Sequence, residues 1–591
     1  MRDAASSAAE GLLRSRLSLF LGLVVVMASA SAVFAYFSFR SLLLVLWPLS
    51  AVVVLFVVLM VFPAGQKRDA VFQLVIGVFG LLLLLSSTLI SNDLLGWDVH
   101  QEFNLSSSVL ASGVWHPAVQ SQYNSVLSVT VLPAMISSVS NVDLIWVFKV
   151  IFPVLFSLVP VVVYRVYRSI LAPEAAFLCS FLLASYPAFY LELISLARQE
   201  VATILLVLAL FVFFSPSIRE GSRGTALTLL MTVGIVTAHY SVAYIYVALL
   251  VLSLVLSIVS KSSSSLVPAP ILLLVGVITV FWYGLLVSPY ELISLGQLFS
   301  WMANGILYDF LNPGSRPAIL SLAVSQYRPG LLGGLNRAFY YAMNLAIVLG
   351  FLAFIRKRGK TAAERRFYSL LVLAFLLLGL SVLLPYFAAS LDIQRIYLLV
   401  LLFASPCFVI GLDAFVRLLG RLRLPTHPVR MPRTTIQFRW APAATILLCY
   451  FMFTSGWVWA VTMTAPSSFV LDSSRMASYP DDSVKAYFFS YYTAPQDIAG
   501  ARWLKEYSTT DRDVCADWNS RLNVLTSYGG LTRGLSSGPM LPSSCDFTRA
   551  YVYLSLLNTV YRVGTQENWS VSVLPIDGLN RVYSDTSTIY T

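Results

Sequence analysis

The sequence predicts an α-helical polytopic membrane protein of about 13 spans with a small C-terminal module of mixed α and β structure. Three observations predict it. The 591 residues are 58% hydrophobic and only 11% charged, with a mean hydropathy of +0.79, where a soluble protein carries roughly 25% charged residues. Many apolar windows exceed the ~18 residues needed to cross hydrocarbon, and they are too long for barrel strands. Finally, the composition changes near residue 465. The 127 residues that follow carry a net charge near −2, and the first 464 carry about +13.

Thirteen spans are expected at 16–37, 42–62, 70–91, 144–164, 175–190, 199–215, 225–240, 242–260, 266–288, 337–355, 367–388, 395–416 and 441–463. The first has the charged start and apolar core of a signal peptide, but its apolar run continues through "VFAYFSF", as in an uncleaved span. The pair around His239 reads either as two spans or as one broken helix. With the N-terminus cytoplasmic, nearly every dense Lys/Arg cluster falls on one side, including "QKRD", "YRVYRS", "SIREGSRG" and "RKRGKTAAERR". That asymmetry is the positive-inside pattern, and it points to a multi-pass plasma-membrane protein.

Residues 1–464 then form the transmembrane domain, with outer loops at 92–143 and 288–336, and residues 465–591 form an extracytoplasmic domain. "NSVLSVTVLPAMISSVS" in the first loop is too short to span, and "ELISLGQLFSWMANGILYDFL" in the second reads as an amphipathic helix. In the tail, "IAGARWLKEYS" has helical spacing. "RDVCADW", "RAYVYLSLL", "WSVSVLPI" and "NRVYSDTSTIY" read as strands. Cys515 and Cys545 lie in this tail; a disulfide between them is open from the sequence, as is glycosylation at Asn568. Cys179, Cys407 and Cys449 lie in apolar spans as small hydrophobes. The basic balance does not indicate nucleic acid, because no basic stretch is interleaved with stacking aromatics.

The chemistry-bearing segment is "SNDLLGWDVHQEFNLSSSVLASGVWHP", residues 91–117. Asp98 and Glu102 share one face of a helix that starts near Gly96 and stops at Gly113. The bland reading is a set of solvated loop residues beside a helix cap. The order of segments along the chain resembles the GT-C membrane glycosyltransferases, which use polyprenyl-phosphate sugars, protein O-mannosyltransferases and the aminoarabinose transferase of lipid A among them. "DVHQEFNLSSSVLASGVWHP" resembles their first outer loop. "ISLARQEVATILLVLALFVFF" resembles their AR-x-E helix start, "LLMTVGIVTAHYSVAY" a helix ending in a basic residue and an aromatic, and "LDIQRIYLLVLLFASP" the late R-Y-L-L helix.

The resemblance implies a transferase that moves a sugar from a polyprenyl-phosphate donor to a lipid, glycan or protein acceptor hydroxyl, inverting the anomeric carbon. Asp98 becomes the general base, with a pKa raised by desolvation near hydrocarbon. Glu102 positions Asp98 or the acceptor, or joins Asp98 on a divalent metal. His100 is either functional or a structural hydrogen-bonding residue. Arg198, His239 and Arg395, with Arg328 and Arg337, become cations for the donor phosphate; the alternative is that they snorkel to membrane-lipid headgroups. Glu200, Tyr240 and Tyr397 support them. Two departures stand out: Val99 follows Asp98 where the family has an adjacent Asp-Glu pair, and two helices precede the family's usual start. The Trp-Trp-Asp motif of oligosaccharyltransferases is absent, which argues against N-glycan transfer to protein. A transporter or flippase of a lipid-linked or anionic solute, or a surface-polysaccharide polymerase or ligase, is the alternative reading.

Overall fold

The structure is a computed structural model. It describes residues 26–27, 29–37, 39–56, 67–117, 123–262, 264–287, 290–310, 312, 315, 330–356, 359, 361–388, 392–422, 440–509, 512–531, 545–546, 549–564 and 578–591. Among them, eight helices are long and apolar enough to cross a membrane. A further apolar pair, Pro173–Ala184 and Ala188–Ser195, is bent by 54°, in the manner of a broken span or a re-entrant loop. The count of 13 is therefore not reproduced at full length. Three expected spans appear as shorter apolar helices, at Arg40–Leu55, Ser222–Ala238 and Ala441–Thr454, and half of the expected span 16–37 lies outside the described residues. The expected span 175–190 falls on the bent pair. Its helix ends where Ser185 and Pro187 interrupt it, and a short π turn over Ala188–Glu192 follows.

Close approach holds the later helices together. Without a hydrophobic force between helices in lipid, small residues must let backbones meet. A Cβ at Gly350 would lie 1.8 Å from the Cys407 carbonyl oxygen, and one at Gly411 would lie 1.8 Å from that of Ala346. Helices Gly330–Arg356 and Ile393–Leu422 therefore pack almost backbone to backbone.

The first loop folds as its pattern predicts. A helix runs over Asp98–Ser112, and Gly113 closes it in left-handed geometry. "NSVLSVTVLPAMISSVS" supplies a 14-residue helix, Leu127–Ser140, too short to span and packed against the Asp98 helix. The second loop supplies helix Tyr290–Tyr308.

The tail begins with two helices, Phe469–Ala477 and Asp482–Tyr491, followed by the expected helix at Pro495–Tyr507. Four strands then form one sheet: β1 (Asp513–Cys515), β2 (Ala550–Leu554), β3 (Arg581–Asp585) and β4 (Ser587–Tyr590), in the order β1-β2-β4-β3. β1 and β2 are parallel; β4 runs antiparallel to β2 and β3. "NRVYSDTSTIY" is thus a hairpin rather than one strand, because Thr586 takes a left-handed φ of 59° and reverses the chain. "WSVSVLPI" and Asn568 lie outside the described residues. A disulfide joins Cys515 to Cys545, with Cα atoms 6.2 Å apart.

Candidate active site

The Asp98 helix begins directly after the helix Lys67–Thr88 and the turn that follows it. Asp69, at the other end of that 22-residue helix, pairs with Arg168 at 2.7 Å. About 30 Å of helix therefore separates the basic end of the bundle from Asp98.

Four sets of contacts fix the loop in place. Lys149 donates to the carbonyls of Ser91 and Asp93, the latter at 3.0 Å. Gly96 takes a φ of +106°, and a Cβ there would lie 2.0 Å from that of Ser195. The Gly96 N–H donates to the Tyr491 carbonyl at 2.9 Å, and Leu95 bridges to Tyr492. Tyr528 accepts from the Leu94 N–H at 3.2 Å. The tail thus clasps the loop just before Asp98.

Arg198 is the centre of the charge cluster. One Nη donates to Asp98 Oδ2 at 2.6 Å and the other to Glu102 Oε1. Its guanidinium also lies over the Tyr123 ring, 4.4 Å from the centroid. Glu102 further accepts from the Ala197 N–H at 3.0 Å. It therefore caps the helix Ala197–Phe214, which has no side-chain cap of its own, where the helix dipole favours an anion. Arg395, from the start of helix Ile393–Leu422, approaches Asp98 Oδ2 at 3.8 Å and Asp392 Oδ2 at 3.6 Å. His239 joins helices Ser222–Ala238 and Tyr240–Val259 in extended geometry, so the two segments are separate helices. Its Nδ1 accepts from the Ser241 N–H at 3.2 Å, which leaves Nε2 to carry the proton of a neutral ring. It lies within electrostatic reach of both Arg198 and Arg395.

Asp98, Glu102, Arg198, Arg395 and His239 therefore meet at one end of the bundle, but the charge chemistry differs from the expectation. Burial pushes the Asp98 carboxyl upward. The charges of Arg198 and Arg395, with hydrogen bonds from Arg198 and Tyr123, outweigh burial and hold it below the usual carboxylate range. The raised carboxyl is Glu102, which burial and the charge of Asp98 push up to about 7 against the pull of Arg198. One guanidinium cannot fully compensate two carboxylates, and the more enclosed one bears the cost. Accessibility divides them the same way: the Asp98 side chain is 21% exposed and that of Glu102 is 0%.

The surroundings of three further candidates are as follows. Both Nη atoms of Arg198 donate to carboxylates; Arg395 is 23% exposed, and among the described residues its acidic partners lie at 3.6 and 3.8 Å. His100 faces away from the cluster into the tail. Its Nε2 is 3.3 Å from Thr493 Oγ1, and Ser527 donates to its carbonyl at 2.7 Å. Burial holds its ring neutral, with a pKa of about 3. Asp98 and Glu102 also do not fit a divalent metal: both Glu102 oxygens are taken by donors and a guanidinium fills the space between the two acids. Among the described residues no three His, Cys, Asp or Glu side chains gather in metal-binding geometry.

Of the remaining candidates, Glu200 and Tyr240 lie beside the cluster. Glu200 is buried one turn into the helix Ala197–Phe214, within electrostatic reach of Glu102. Tyr240 packs edge-on against His239, with ring centroids 4.8 Å apart. Tyr397 turns away and donates to Asn344 Oδ1 at 2.7 Å. Arg337 lies on helix Gly330–Arg356 beside the Gly333 carbonyl at 3.4 Å, and Arg328 lies outside the described residues. Sequence reasoning missed Glu192, Asp392, Tyr123 and Tyr491. Glu192, on the bent span, accepts from the Tyr491 hydroxyl at 3.0 Å and lies within electrostatic reach of Asp392, Arg395 and Asp98. The only available signal was an acid interrupting an apolar run in "AFYLELISLA".

Fold and site together define a polytopic helical membrane protein with a buried charge cluster at one end of the bundle, clasped by a small sheet-bearing tail. A family model described as a predicted membrane protein, DUF2206, matches residues 225–589, more than half of the chain, and the chain belongs to that family. No curated protein matches it significantly. Among solved structures it is similar to the Archaeoglobus fulgidus oligosaccharyltransferase tethered to an acceptor peptide containing an NVT sequon, at a TM-score of 0.49 and 14% identity over 89% of this chain and 74% of that one. It is also similar to ArnT from Cupriavidus metallidurans bound to undecaprenyl phosphate, at 0.44 and 13% over 89% of this chain and 98% of that one. Both likenesses are distant.

Proposed function

We propose that this protein is a membrane glycosyltransferase of the GT-C type that transfers a sugar from a polyprenyl-phosphate donor to an acceptor hydroxyl on the extracytoplasmic side. The observation that carries the reading is the convergence of Asp98, Arg395 and His239 around the Asp98–Arg198–Glu102 clamp. The ordered resemblance of the four sequence segments agrees with it.

The chemistry asks little of the protein, because a lipid phosphate is already a good leaving group. The acceptor oxygen attacks the anomeric carbon, the carbon–oxygen bond to phosphate breaks, and the phosphate leaves with the electron pair. Asp98, the accessible carboxylate, takes the hydroxyl proton. One displacement, with no protein nucleophile, inverts the centre. Asp98 begins as a weak base because Arg395 and Arg198 stabilise its charge. Charge developing on the leaving phosphate draws Arg395 toward it, which removes a cation from Asp98 and strengthens the base as the bond breaks. The Nε2–H of His239 supplies a second donor to the phosphate. Glu102 and Arg198 hold Asp98 in place.

The test is transfer by purified protein in lipid nanodiscs supplied with radiolabelled polyprenyl-phosphate sugars. Asp98→Asn should lower kcat by about 10²–10⁴-fold while donor affinity stays within a few-fold. Wild-type rates in that variant overturn the assignment of the base. The bent span with its buried Glu192 favours a second reading, since transporters use broken helices around their sites. Movement of an intact solute across vesicles, with no new glycosidic bond, would establish that reading instead.

A further inference from the structure

Trp97 directly precedes Asp98, and its side chain is 45% exposed. Its inner side lies against Tyr491, with centroids 5.1 Å apart and rings tilted by 40°. Tyr487, one helical turn before Tyr491, is equally exposed at 45% and packs against the same ring at 5.4 Å. Two exposed rings thus flank one buried ring. The buried ring is tied through its hydroxyl to Glu192. Asp392, partly exposed, lies within electrostatic reach of both Tyr487 and Glu192. Exposed aromatic faces and the partly exposed carboxylate of Asp392 therefore lie beside Asp98.

This combination selects its occupant. An acyl or prenyl chain would desolvate the acids and give nothing back. A phosphate would meet the carboxylates of Asp98 and Asp392, with Arg395 already placed between them. A sugar ring satisfies both kinds of group. Its C–H face packs on an aromatic plane, and its hydroxyls donate to carboxylates. We infer that Trp97 and Tyr487 are the stacking faces of an acceptor subsite, that Asp392 accepts a hydrogen bond from a ring hydroxyl, and that the hydroxyl presented to Asp98 belongs to a neutral carbohydrate. This rests on the glycosyltransferase reading and names its acceptor class.

The experiment uses full-length protein in nanodiscs and measures binding by saturation-transfer NMR. The probes are mannobiose, galactobiose and chitobiose, with a serine-rich hexapeptide and octanol as comparisons. At least one disaccharide should bind through its ring C–H protons. Trp97→Ala and Tyr487→Ala should each weaken it tenfold or more, whereas Trp97→Phe should stay within about threefold and unfold at the wild-type temperature. Failure of all three sugars to bind, binding unchanged in both alanine variants, or binding of the peptide or octanol alone overturns the subsite. Trp97-dependent sugar binding with no transfer from any donor leaves the subsite standing and removes the enzyme reading. Asp98-dependent transfer to the peptide or the alcohol does the reverse.

Discussion

At the scale of single residues, Arg198 decides the state of the acids around it. It is shared between an exposed and an enclosed carboxylate, and the enclosed Glu102 is the one that titrates near neutrality. Glu102 protonates as pH falls below about 7, which gives the whole charge of Arg198 to Asp98 and makes Asp98 a weaker base. The rate of sugar transfer should therefore fall on the acid side with an inflection near 7, and Glu102→Gln should remove that inflection; a kcat–pH profile of both proteins checks it. The spacing of Asp98 and Glu102 on one helical face was legible from residue order. Which acid has the raised pKa was not, because it depends on cations that lie 96 and about 300 residues away in the chain and on which acid is enclosed.

At the scale of elements, the turn at Gly96 sets where the Asp98 helix begins. Its left-handed φ and its contact with Ser195 leave no room for a side chain. Gly96→Ala should cost roughly 2–3 kcal/mol, read as a lowered unfolding temperature, with sugar transfer impaired in the fraction that remains folded. In the tail, Asp497 opens the helix Pro495–Tyr507 and accepts from the Leu556 N–H at 2.7 Å. Burial, with Asp517 nearby, pushes its carboxyl up to about 7 from an ordinary 3.8. The folded state thus holds a proton that the unfolded chain releases near pH 4, so this contribution to stability falls as pH rises from about 4 through 7. Asp497→Asn keeps the oxygen acceptor and should be more stable than the wild type at pH 8, with the difference shrinking toward pH 5; thermal unfolding at the two values measures it. Hydropathy located nearly every long helix. It placed the span at 175–190 as continuous because Leu-rich composition masks a break that Pro187 imposes, and it merged β3 and β4 because no glycine or proline marks the turn at Thr586.

At the scale of the whole molecule, the tail, the loop at 92–117 and the starts of several spans share one end of the bundle, and the ion pairs Arg168–Asp69 and Arg68–Glu174 lie at the other. With the basic end in the cytoplasm, a membrane-impermeant maleimide added to intact cells should label Ser483→Cys and leave Ser222→Cys unlabelled until the membrane is permeabilised; both positions are exposed. The reverse pattern would invert the molecule and place the cluster in the cytosol. Residue order alone determined the membrane-spanning class, the basic and acidic division of the chain and the helix that carries Asp98, because apolar length and charge asymmetry are local quantities that need no partner. Tertiary structure decided that Arg198 clamps two acids, that His100 belongs to the tail interface, and that Glu192 and Tyr491 border the site. Those roles depend on distance and enclosure between segments far apart in the chain, and no local pattern encodes them.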